Sequence, residues 1–339
     1  MSVTSWPGLV DLQVNGFGGF DVNADDVTPD TIVALTRALW REGVTTYLPT
    51  VITASEEKIA HALETIALAR QIDPLIARSI AGIHIEGPSL SADDGPRGAH
   101  DAAQLRDPSV DELTQWQNAA PGLVRIVTLA PERARSLEYI TAAAARGIRV
   151  SIGHCAPDTE RIREAVAAGA SLSTHLGNGV HRELPRHPNH LWAQLAADEL
   201  TAMFIADGHH LPADTLTAMI RAKGVQRSIL TSDSAALAGS PPGRYATPVG
   251  GVVIVAEDGR LSLGDTGLLA GSGASLRHCV EWALAHLPFT EDDVLAMASR
   301  NPARMLRIDP SGDRVDVALD HGRVIIHRVT VGGNVVCEQ

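Results

Sequence analysis

The segment GIHIEGPSL, residues 82–90, combines two opposite signals in one strand. Ile83 and Ile85 are typical of a buried parallel strand, whose residues form a nearly continuous apolar run. His84 and Glu86 interrupt that run, and a Gly-Pro pair ends the strand directly after the carboxylate. Polar side chains at the last positions of a core strand require partners from other parts of the chain.

The rest of the chain repeats one unit, a short apolar run followed by a longer stretch with helical periodicity. Several helical stretches begin at a capping residue or Pro and end at Gly, as in TPDTIVALTRALWREG, 28–43. Strands that alternate with helices predict an α/β protein with a parallel sheet, and eight strands close a TIM (β/α)8 barrel. The strand candidates are 10–15, 45–51, 80–87, 123–130, 148–154, 171–175, 201–207 and 228–233.

A doubly wound open sheet is the alternative arrangement of the same units. It would place a glycine-rich phosphate loop between the first strand and the first helix. The corresponding segment, NGFGGFDVN at 15–23, contains glycines but no G-x-G-x-x-G leading into a helix. We therefore expect the barrel.

The C-terminal part of the chain is less regular. Residues 239–272 are interpreted as a Gly/Pro-rich loop followed by a hairpin, with strands VVIV and LSL around the turn EDGR. A helical stretch from about 274 to 306 precedes a final segment that alternates like antiparallel strands. This pattern predicts a barrel domain at 7–306 and a small, reduced β appendage formed mainly by the C-terminal strands, at 307–339.

Composition excludes several classes of function. The formal net charge of −12 disfavours a nucleic-acid partner. No apolar run approaches the ~18 residues that a bilayer crossing needs, and the N-terminus lacks the pattern of a secretory signal. The 3 cysteines are far apart without a CxxC pair, which is typical of a reducing compartment. We expect a cytoplasmic protein with no membrane partner.

Polar side chains stand at the C-terminal ends of the predicted strands. In a TIM barrel these ends converge on the face that carries the active site. Glu86 can meet His154, His175 and Asp233 there, and two imidazoles with one carboxylate and an open position are the composition of a catalytic zinc site. An additional Asp suits a general base for metal-bound water. The strand-end residues are Gln13, Asn15, His84, Glu86, Glu132, His154, His175, Asp207, His209, His210 and Asp233.

Each of these residues also has a simpler explanation when it is taken alone. Glu86 could pair with Arg97, Asp233 could cap a helix, and His209 and His210 could be solvated loop residues. Gln13 and Asn15 are turn-friendly residues before a glycine. The simpler explanations would all have to be true at once for residues at the ends of different strands. The metal site is therefore the favoured interpretation.

A set of short motifs in this order resembles the N-acetylglucosamine-6-phosphate deacetylases of the amidohydrolase superfamily. Each motif is a weak signal, but the ordered set extends over nearly the whole chain. The motifs are PGLVDLQVNG (7–16), GIHIEGP (82–88), GAHD (98–101), TLAPE (128–132), GH (153–154), THLGNG (174–179), IADGHH (205–210), LTSDSAA (230–236), LAGS (269–272) and NPARML (301–306).

The resemblance implies a metal-dependent TIM barrel that removes acetate from an amino-sugar phosphate. Carried over by position, the metal ligands are Glu86, His154 and His175, and the catalytic acid–base is Asp233. Many members of the superfamily have His-x-His at the end of the first strand, where it holds a second metal. This chain has Gln13-Val14-Asn15 there, so we expect one divalent ion per chain, Zn²⁺ first, with Fe²⁺ or another divalent ion as alternatives.

The resemblance also implies substrate contacts from His100, Asn178, Gly179, Arg186 and His210. In the family an Arg from the loop after the sixth strand and a His after the seventh strand grip the phosphate, partly across a dimer interface. A count without gaps from His175 puts Arg186 and His210 at those positions, with Arg182 as a competing choice. We therefore expect a homodimer that acts on a small amino-sugar substrate.

Two departures from the family affect the substrate more than the reaction. The sixth-strand motif usually continues with a bulky residue where this chain has Gly177, and the following loop, HRELPRHPNH at 181–190, is rich in Pro and His. The family normally has roughly fifty residues before the Pro-Gly motif, whereas this sequence starts close to that motif. The alternatives are a deacylase of an unphosphorylated N-acyl sugar or N-acyl amino acid, and a barrel that binds without catalysis.

Overall fold

A computed structural model describes residues 3–247, 251–264 and 267–339 of the chain. Within these ranges one sheet contains eight strands, all parallel, in which neighbours along the chain are also neighbours in the sheet. We number them barrel strands 1 to 8. They are Leu9–Val14, Val44–Ile52, Ile83–Glu86, Val124–Leu129, Arg149–Ile152, Ala170–Ser173, Thr201–Phe204 and Ser228–Leu230.

The first and last strands meet at a seam that nearly closes the barrel. Val14 forms a parallel bridge with Ser234 just beyond barrel strand 8. Asp11, fully buried in barrel strand 1, accepts hydrogen bonds from the Thr231 hydroxyl at 2.7 Å and the Ser232 amide at 3.1 Å. The Asp11 side chain thus supplies part of the connection between the first and last strands, whereas other neighbouring strands of the barrel are connected by backbone hydrogen bonds. The predicted TIM barrel is confirmed.

The interior of the barrel is apolar towards the N-terminal ends of its strands. Its buried side chains pack against Ala303 and Leu306 of helix Asn301–Leu306. This end is filled with apolar side chains, as in other small barrels, and the polar strand-end residues lie towards the opposite end. The apolar layer consists of Val10, Leu12, Leu48, Ile126, Leu172, Met203 and Ile229.

The helices follow the predicted capping signals. Helix Pro29–Arg41 begins after Thr28, whose hydroxyl accepts from the Thr31 amide in a capping box. It buries Leu35 and Leu39, as expected for an amphipathic helix with a core-facing stripe. The other helices are Glu56–Ala69, Pro74–Ser79, Val110–Ala119, Ser136–Ala145, Thr159–Ala168, His190–Ala196, Ala213–Lys223, Leu276–His286 and Glu291–Leu295, with a π-helical turn Ala296–Arg300 and 3₁₀ turns Ala102–Gln104 and Val225–Arg227.

A separate antiparallel sheet forms the β appendage. Its strands are Thr4–Pro7, Arg314–Asp320, Arg323–Val331 and Asn334–Glu338, in that spatial order. The predicted appendage, formed mainly by C-terminal strands, is therefore confirmed, and Thr4–Pro7 joins it from the other end of the sequence. The division into 7–306 and 307–339 stays a prediction.

The predicted hairpin follows barrel strand 8 in the chain. Strand Gly251–Val255 pairs antiparallel with Leu261–Leu263, as expected. The preceding segment was expected to be loop, but Gly243–Thr247 forms a third strand on the other side of Gly251–Val255. Residues 248–250 and 265–266 of this segment lie outside the described ranges. Short strands Gly16–Phe17 and Phe20–Asp21 form a further small hairpin.

Within the described ranges, no helix combines the length and the apolar character that a transmembrane span requires.

Candidate active site

Three predicted ligands converge at the C-terminal end of the barrel. Glu86 is the last residue of barrel strand 3, and His154 and His175 each lie two residues beyond the ends of barrel strands 5 and 6. The Nε2 atoms of the two histidines are 3.0 Å apart. Glu86 Oε1 is 3.1 Å from His175 Nε2 and 3.4 Å from His154 Nε2. All three side chains are buried, so their polar atoms face one another rather than water.

The hydrogen bonds around this cluster leave lone pairs directed inwards. His154 Nδ1 lies 2.8 Å from the Pro96 carbonyl oxygen, which can only accept. The Nδ1 atom therefore carries a proton, and Nε2 presents a lone pair to the cluster whenever the ring is neutral. With one carboxylate and two imidazole nitrogens within 4.8 Å of one another, this group can hold a metal ion.

Electrostatics favour an ionised Glu86. Burial alone would raise the pKa of its carboxyl group, but the hydrogen bonds and charges of His154 and His175 outweigh this and hold it well below its ordinary value. Burial would lower the pKa of His154, whereas the hydrogen bond and charge of Glu86 raise it above its ordinary value. The Glu86 carboxylate is thus maintained as an anion within the cluster.

Three of the described site residues have a left-handed backbone conformation. The φ angles are 48° at His154, 26° at His175 and 50° at Asp233. A side chain with a Cβ is disfavoured there, and such conformations cluster at functional sites. The left-handed turn occurs just after barrel strands 5, 6 and 8, where the chain leaves the sheet.

Glycines allow two loops to approach the His154 ring. A Cβ placed at Gly179 would lie 2.8 Å from His154 Nδ1, and one at Gly98 would lie 3.2 Å from its Cε1. Gly179 was predicted as a substrate-binding residue. Its described contact is with His154, so the loop after barrel strand 6 packs directly against the cluster of Glu86, His154 and His175.

Gln13 and Asn15 donate hydrogen bonds to the two acidic groups of the site. Gln13 Nε2 donates to Glu86 Oε1 at 2.8 Å, and Asn15 Nδ2 donates to Asp233 Oδ1 at 2.7 Å. Burial and the negative charge of Glu86 nevertheless raise the pKa of Asp233 to about 6. The Gln-x-Asn segment, which replaces two histidines, therefore orients carboxylates.

His84, two residues before Glu86 in barrel strand 3, has a different set of partners from Glu86. Its Nδ1 atom lies 3.0 Å from the Leu12 carbonyl oxygen, and its Nε2 atom lies 2.7 Å from the Thr128 hydroxyl. Thr128 is bonded in turn to Thr174, and Thr174 to Ser151. Burial lowers the pKa of His84 to about 4, so this imidazole is a neutral member of a buried polar layer beneath the site.

The remaining predicted contacts lie at different distances from the cluster. His100 Nε2 is 3.9 Å from Glu86 Oε2, and the ring centres of His100 and His154 are 4.5 Å apart. Burial lowers the pKa of His100 to about 3, which keeps this imidazole neutral. Asn178 Nδ2 donates to the His175 carbonyl oxygen at 3.2 Å. His100 and Asn178 therefore adjoin the cluster of Glu86, His154 and His175.

Arg182 and Arg186 lie in the predicted phosphate loop, and both are exposed. The loop ends at Asn189, whose side chain caps helix His190–Ala196. Burial therefore does not distinguish which of the two arginines is the better candidate for the phosphate contact. The pairing of Glu86 with Arg97, considered above as a simpler explanation, does not occur among the described contacts, where Arg97 pairs with Asp94.

Asp207 and Ser272 contribute to the site without having been assigned a role from sequence. Asp207 bonds to His210 Nδ1 at 2.7 Å and to the Ser272 hydroxyl at 3.1 Å. The sequence Asp-Gly-His-His is typical of a turn in which the Asp side chain accepts from backbone amides that follow it, and the Asp207 side chain does accept from the amides of His209 and His210. The contact with Ser272 spans 65 residues and has no local signal.

The chain is similar to known proteins over most of its length. The amidohydrolase family model matches residues 5–316. An N-acetylgalactosamine-6-phosphate deacetylase from Shewanella sp. is 34% identical over 90% of this chain and 75% of the relative. The human N-acetylglucosamine-6-phosphate deacetylase is 33% identical over 94% of this chain and 78% of the relative.

A solved structure agrees over the same extent. The N-acetyl-D-glucosamine-6-phosphate deacetylase of Mycobacterium smegmatis, 30% identical, superposes with a TM-score of 0.88 over 99% of this chain and 88% of that one. Sequence and fold agree, so the chain belongs to the amidohydrolase family and to its N-acetylglucosamine-6-phosphate deacetylase branch.

Proposed function

We propose that the protein is a metal-dependent deacetylase that hydrolyses the acetamide of an N-acetylated amino sugar 6-phosphate, N-acetylglucosamine-6-phosphate first. The observation that carries this proposal is the cluster of Glu86, His154 and His175 at the C-terminal end of the barrel. Relatives named as N-acetylglucosamine-6-phosphate and N-acetylgalactosamine-6-phosphate deacetylases support the reaction and leave both sugars as candidates. The products are the amino sugar phosphate and acetate.

Glu86, His154 and His175 would hold one divalent ion, for which Zn²⁺ best suits two imidazoles and a carboxylate. Such an ion lowers the pKa of a coordinated water and polarises the amide carbonyl. Fe²⁺ or another divalent ion suits the same ligands. Because Gln13 and Asn15 already donate to Glu86 and Asp233, they support a single ion rather than a pair.

Asp233 would transfer the proton in both halves of the reaction. Asn15 holds Oδ1 of this carboxylate, so we assign the transfer to Oδ2. The carboxylate takes a proton from the attacking water as the new carbon–oxygen bond forms at the amide carbon. It then gives that proton to the amide nitrogen as the carbon–nitrogen bond breaks, which releases the free amine and acetate.

The neighbouring residues would bind and orient the substrate. We assign His100, beside Glu86, to the acetamide group, and Asn178 and Gly179 to the sugar at the loop after barrel strand 6. His210 and Arg186 would bind the phosphate. Neutral imidazole at His100 can donate a hydrogen bond to the developing oxyanion.

Acetate release from a panel of N-acetyl sugars tests the function directly. We expect N-acetylglucosamine-6-phosphate or its galactosamine epimer to be hydrolysed best, and the unphosphorylated sugars and N-acetyl amino acids to be poor substrates. Acetate is measured after dialysis against a chelator and again after Zn²⁺ is restored, and activity should return with the metal. Absence of acetate release from every member of the panel would contradict the proposal.

A deacylase of an unphosphorylated N-acyl sugar is the second candidate. The observation in its favour is that Arg182 and Arg186 are both exposed. The same exposure suits a loop that meets the phosphate together with a partner subunit. The substrate panel separates these two candidates.

Replacing Arg186 with alanine is expected to raise KM for the 6-phosphorylated sugar by tens-fold. Arg grips a phosphate through paired charged hydrogen bonds, and loss of one such contact costs ~2–3 kcal/mol. Hydrolysis of the unphosphorylated sugar should change little. Steady-state kinetics with both sugars measure this difference.

Two further variants serve as controls for Arg186→Ala. Arg182→Ala tests the competing position in the same loop, and Arg37→Ala removes an exposed arginine from helix Pro29–Arg41. If neither loop variant alters the preference for phosphate, the assignment of this loop is wrong. A change in the Arg37 variant would show that the effect comes from overall charge.

We further propose a homodimer in the cytoplasm. The cysteines Cys155, Cys279 and Cys337 are free thiols, which supports a reducing compartment. The exposed loop at 181–190 would lie at or near the subunit interface.

A further inference from the structure

Asp207 is a buried carboxylate that the proposed reaction does not use. It follows barrel strand 7 and is 8% exposed. Its Oδ1 atom accepts from the amides of His209 and His210, both at 2.9 Å. Its Oδ2 atom is 2.7 Å from His210 Nδ1 and 3.1 Å from the Ser272 hydroxyl. The two oxygens together therefore accept hydrogen bonds from two separate segments, the turn at 209–210 and Ser272.

The first effect of these contacts is on the His210 ring. Burial would raise the pKa of Asp207, but the hydrogen bonds and charge of His210 hold it well below its ordinary value. An ionised carboxylate only accepts hydrogen bonds, so His210 Nδ1 must carry a proton. Nδ1 is thereby committed to Asp207, and Nε2 is the ring nitrogen left for a ligand: with a second proton it donates to a phosphate oxygen, and without one it accepts from a sugar hydroxyl.

The second effect reaches Asp233 through Ser272. The Ser272 amide donates to the Asp233 carbonyl oxygen at 3.0 Å, and the Ser272 carbonyl oxygen accepts from the Ala235 amide at 3.0 Å. Ser272 thus pairs with the backbone on both sides of Ser234, directly after the left-handed residue Asp233. Its side chain is held in turn by Asp207. One carboxylate therefore connects the loop of His210 with the backbone that carries Asp233.

We propose that Asp207 is a positioning residue that fixes the tautomer and orientation of His210 and, through Ser272, holds the backbone at Asp233. Its kinetic consequences rest on the proposed function, because they need His210 to bind substrate and Asp233 to transfer the proton. The tautomer of His210 does not depend on that function. The two parts are therefore tested by different measurements.

Imidazole ¹⁵N spectra of the complete protein labelled at histidine test the tautomer. We expect His210, identified by its absence from the spectrum of His210→Gln, to be protonated at Nδ1 in the wild type. In Asp207→Asn the new amide group can donate to Nδ1, so the proton should move to Nε2. A wild-type His210 protonated only at Nε2 would overturn the proposal without any Asp207 variant.

Kinetics with the best substrate of the panel test the link to catalysis. Asp207→Asn should lower kcat/KM by about 10- to 100-fold, by analogy with the loss of the outer hydrogen-bond partner of a metal-ligating histidine. Ser272→Ala should lower kcat more than it raises KM. It removes the hydroxyl through which Asp207 holds the Ser272 backbone next to Asp233, and it leaves the Asp207–His210 contact in place. Asp198→Asn, which alters an exposed ion pair with Arg227 at 2.9 Å, is the matched control.

The outcomes distinguish the proposal from a general structural role and from failure of the proposed function. An unchanged His210 tautomer in a folded Asp207→Asn protein, with unchanged kinetics, would overturn the proposal. An equal loss in Asp207→Asn and Asp198→Asn would do the same. If no panel substrate releases acetate, the function fails, whereas the ¹⁵N spectra still decide whether Asp207 fixes His210.

Discussion

Replacing His175 with alanine is expected to remove the bound ion and the deacetylase activity together. His175 Nε2 lies 3.0 Å from His154 Nε2 and 3.1 Å from Glu86 Oε1, at the centre of the proposed ligand set. Two ligands do not make the site that a tightly held catalytic ion requires. Metal analysis of the purified wild type should give about one divalent ion per chain, and the variant should contain almost none.

His321→Ala is the matched control for this variant. His321 also has a positive φ, 48°, but its side chain is 96% exposed in a turn of the β appendage. Both substitutions therefore put alanine into a left-handed turn, and only one removes a ligand. Two tightly bound ions per wild-type chain, or retention of the metal in His175→Ala, would show that the ligand set is wrong.

Replacing Asp233 with asparagine is expected to lower kcat by at least ~10²-fold while most of the metal remains bound. The lower limit is that of a general acid–base residue. Asparagine has nearly the same shape and tolerates a left-handed backbone, so the turn at φ 50° should persist. It cannot take a proton from water, however. Single-turnover rates and metal content, measured on the same preparation, separate the two effects.

Asp25→Asn is a suitable control because Asp25 is an exposed partner of Lys58. Its turnover should equal that of the wild type. Near-normal turnover in Asp233→Asn would remove Asp233 from the mechanism. Loss of the metal in that variant would instead make Asp233 a ligand.

The convergence of the ligands could be predicted from sequence because it follows from topology. Parallel strands joined by helices bring all their C-terminal ends to one face. A polar residue at a strand end is therefore informative even when its partner is far away in sequence. Glu86 and His175, which are 89 residues apart, were placed together on this ground, and their atoms are 3.1 Å apart.

Contacts that depend on side-chain direction could not be predicted in this way. Gln13 and Asn15 were recognised as poor ligands, but their hydrogen bonds to Glu86 and Asp233 follow from rotamers that a sequence does not specify. Strand Thr4–Pro7 was missed because four residues give too short a pattern, and its partner is more than 300 residues away. Strand Gly243–Thr247 is largely exposed and lacks the apolar alternation that marks a strand.

The left-handed turns at His154, His175 and Asp233 impose opposite demands on the sequence. A folded chain alone would prefer glycine or asparagine at such positions, since another side chain there costs about 1–3 kcal/mol. Hydrolysis requires imidazole and carboxylate groups at the same positions. A homologue that has lost catalysis is free of that requirement, and its sequence can drift towards the less strained residues. Glycine or asparagine at these positions in a related barrel would therefore mark a lineage that binds without hydrolysing.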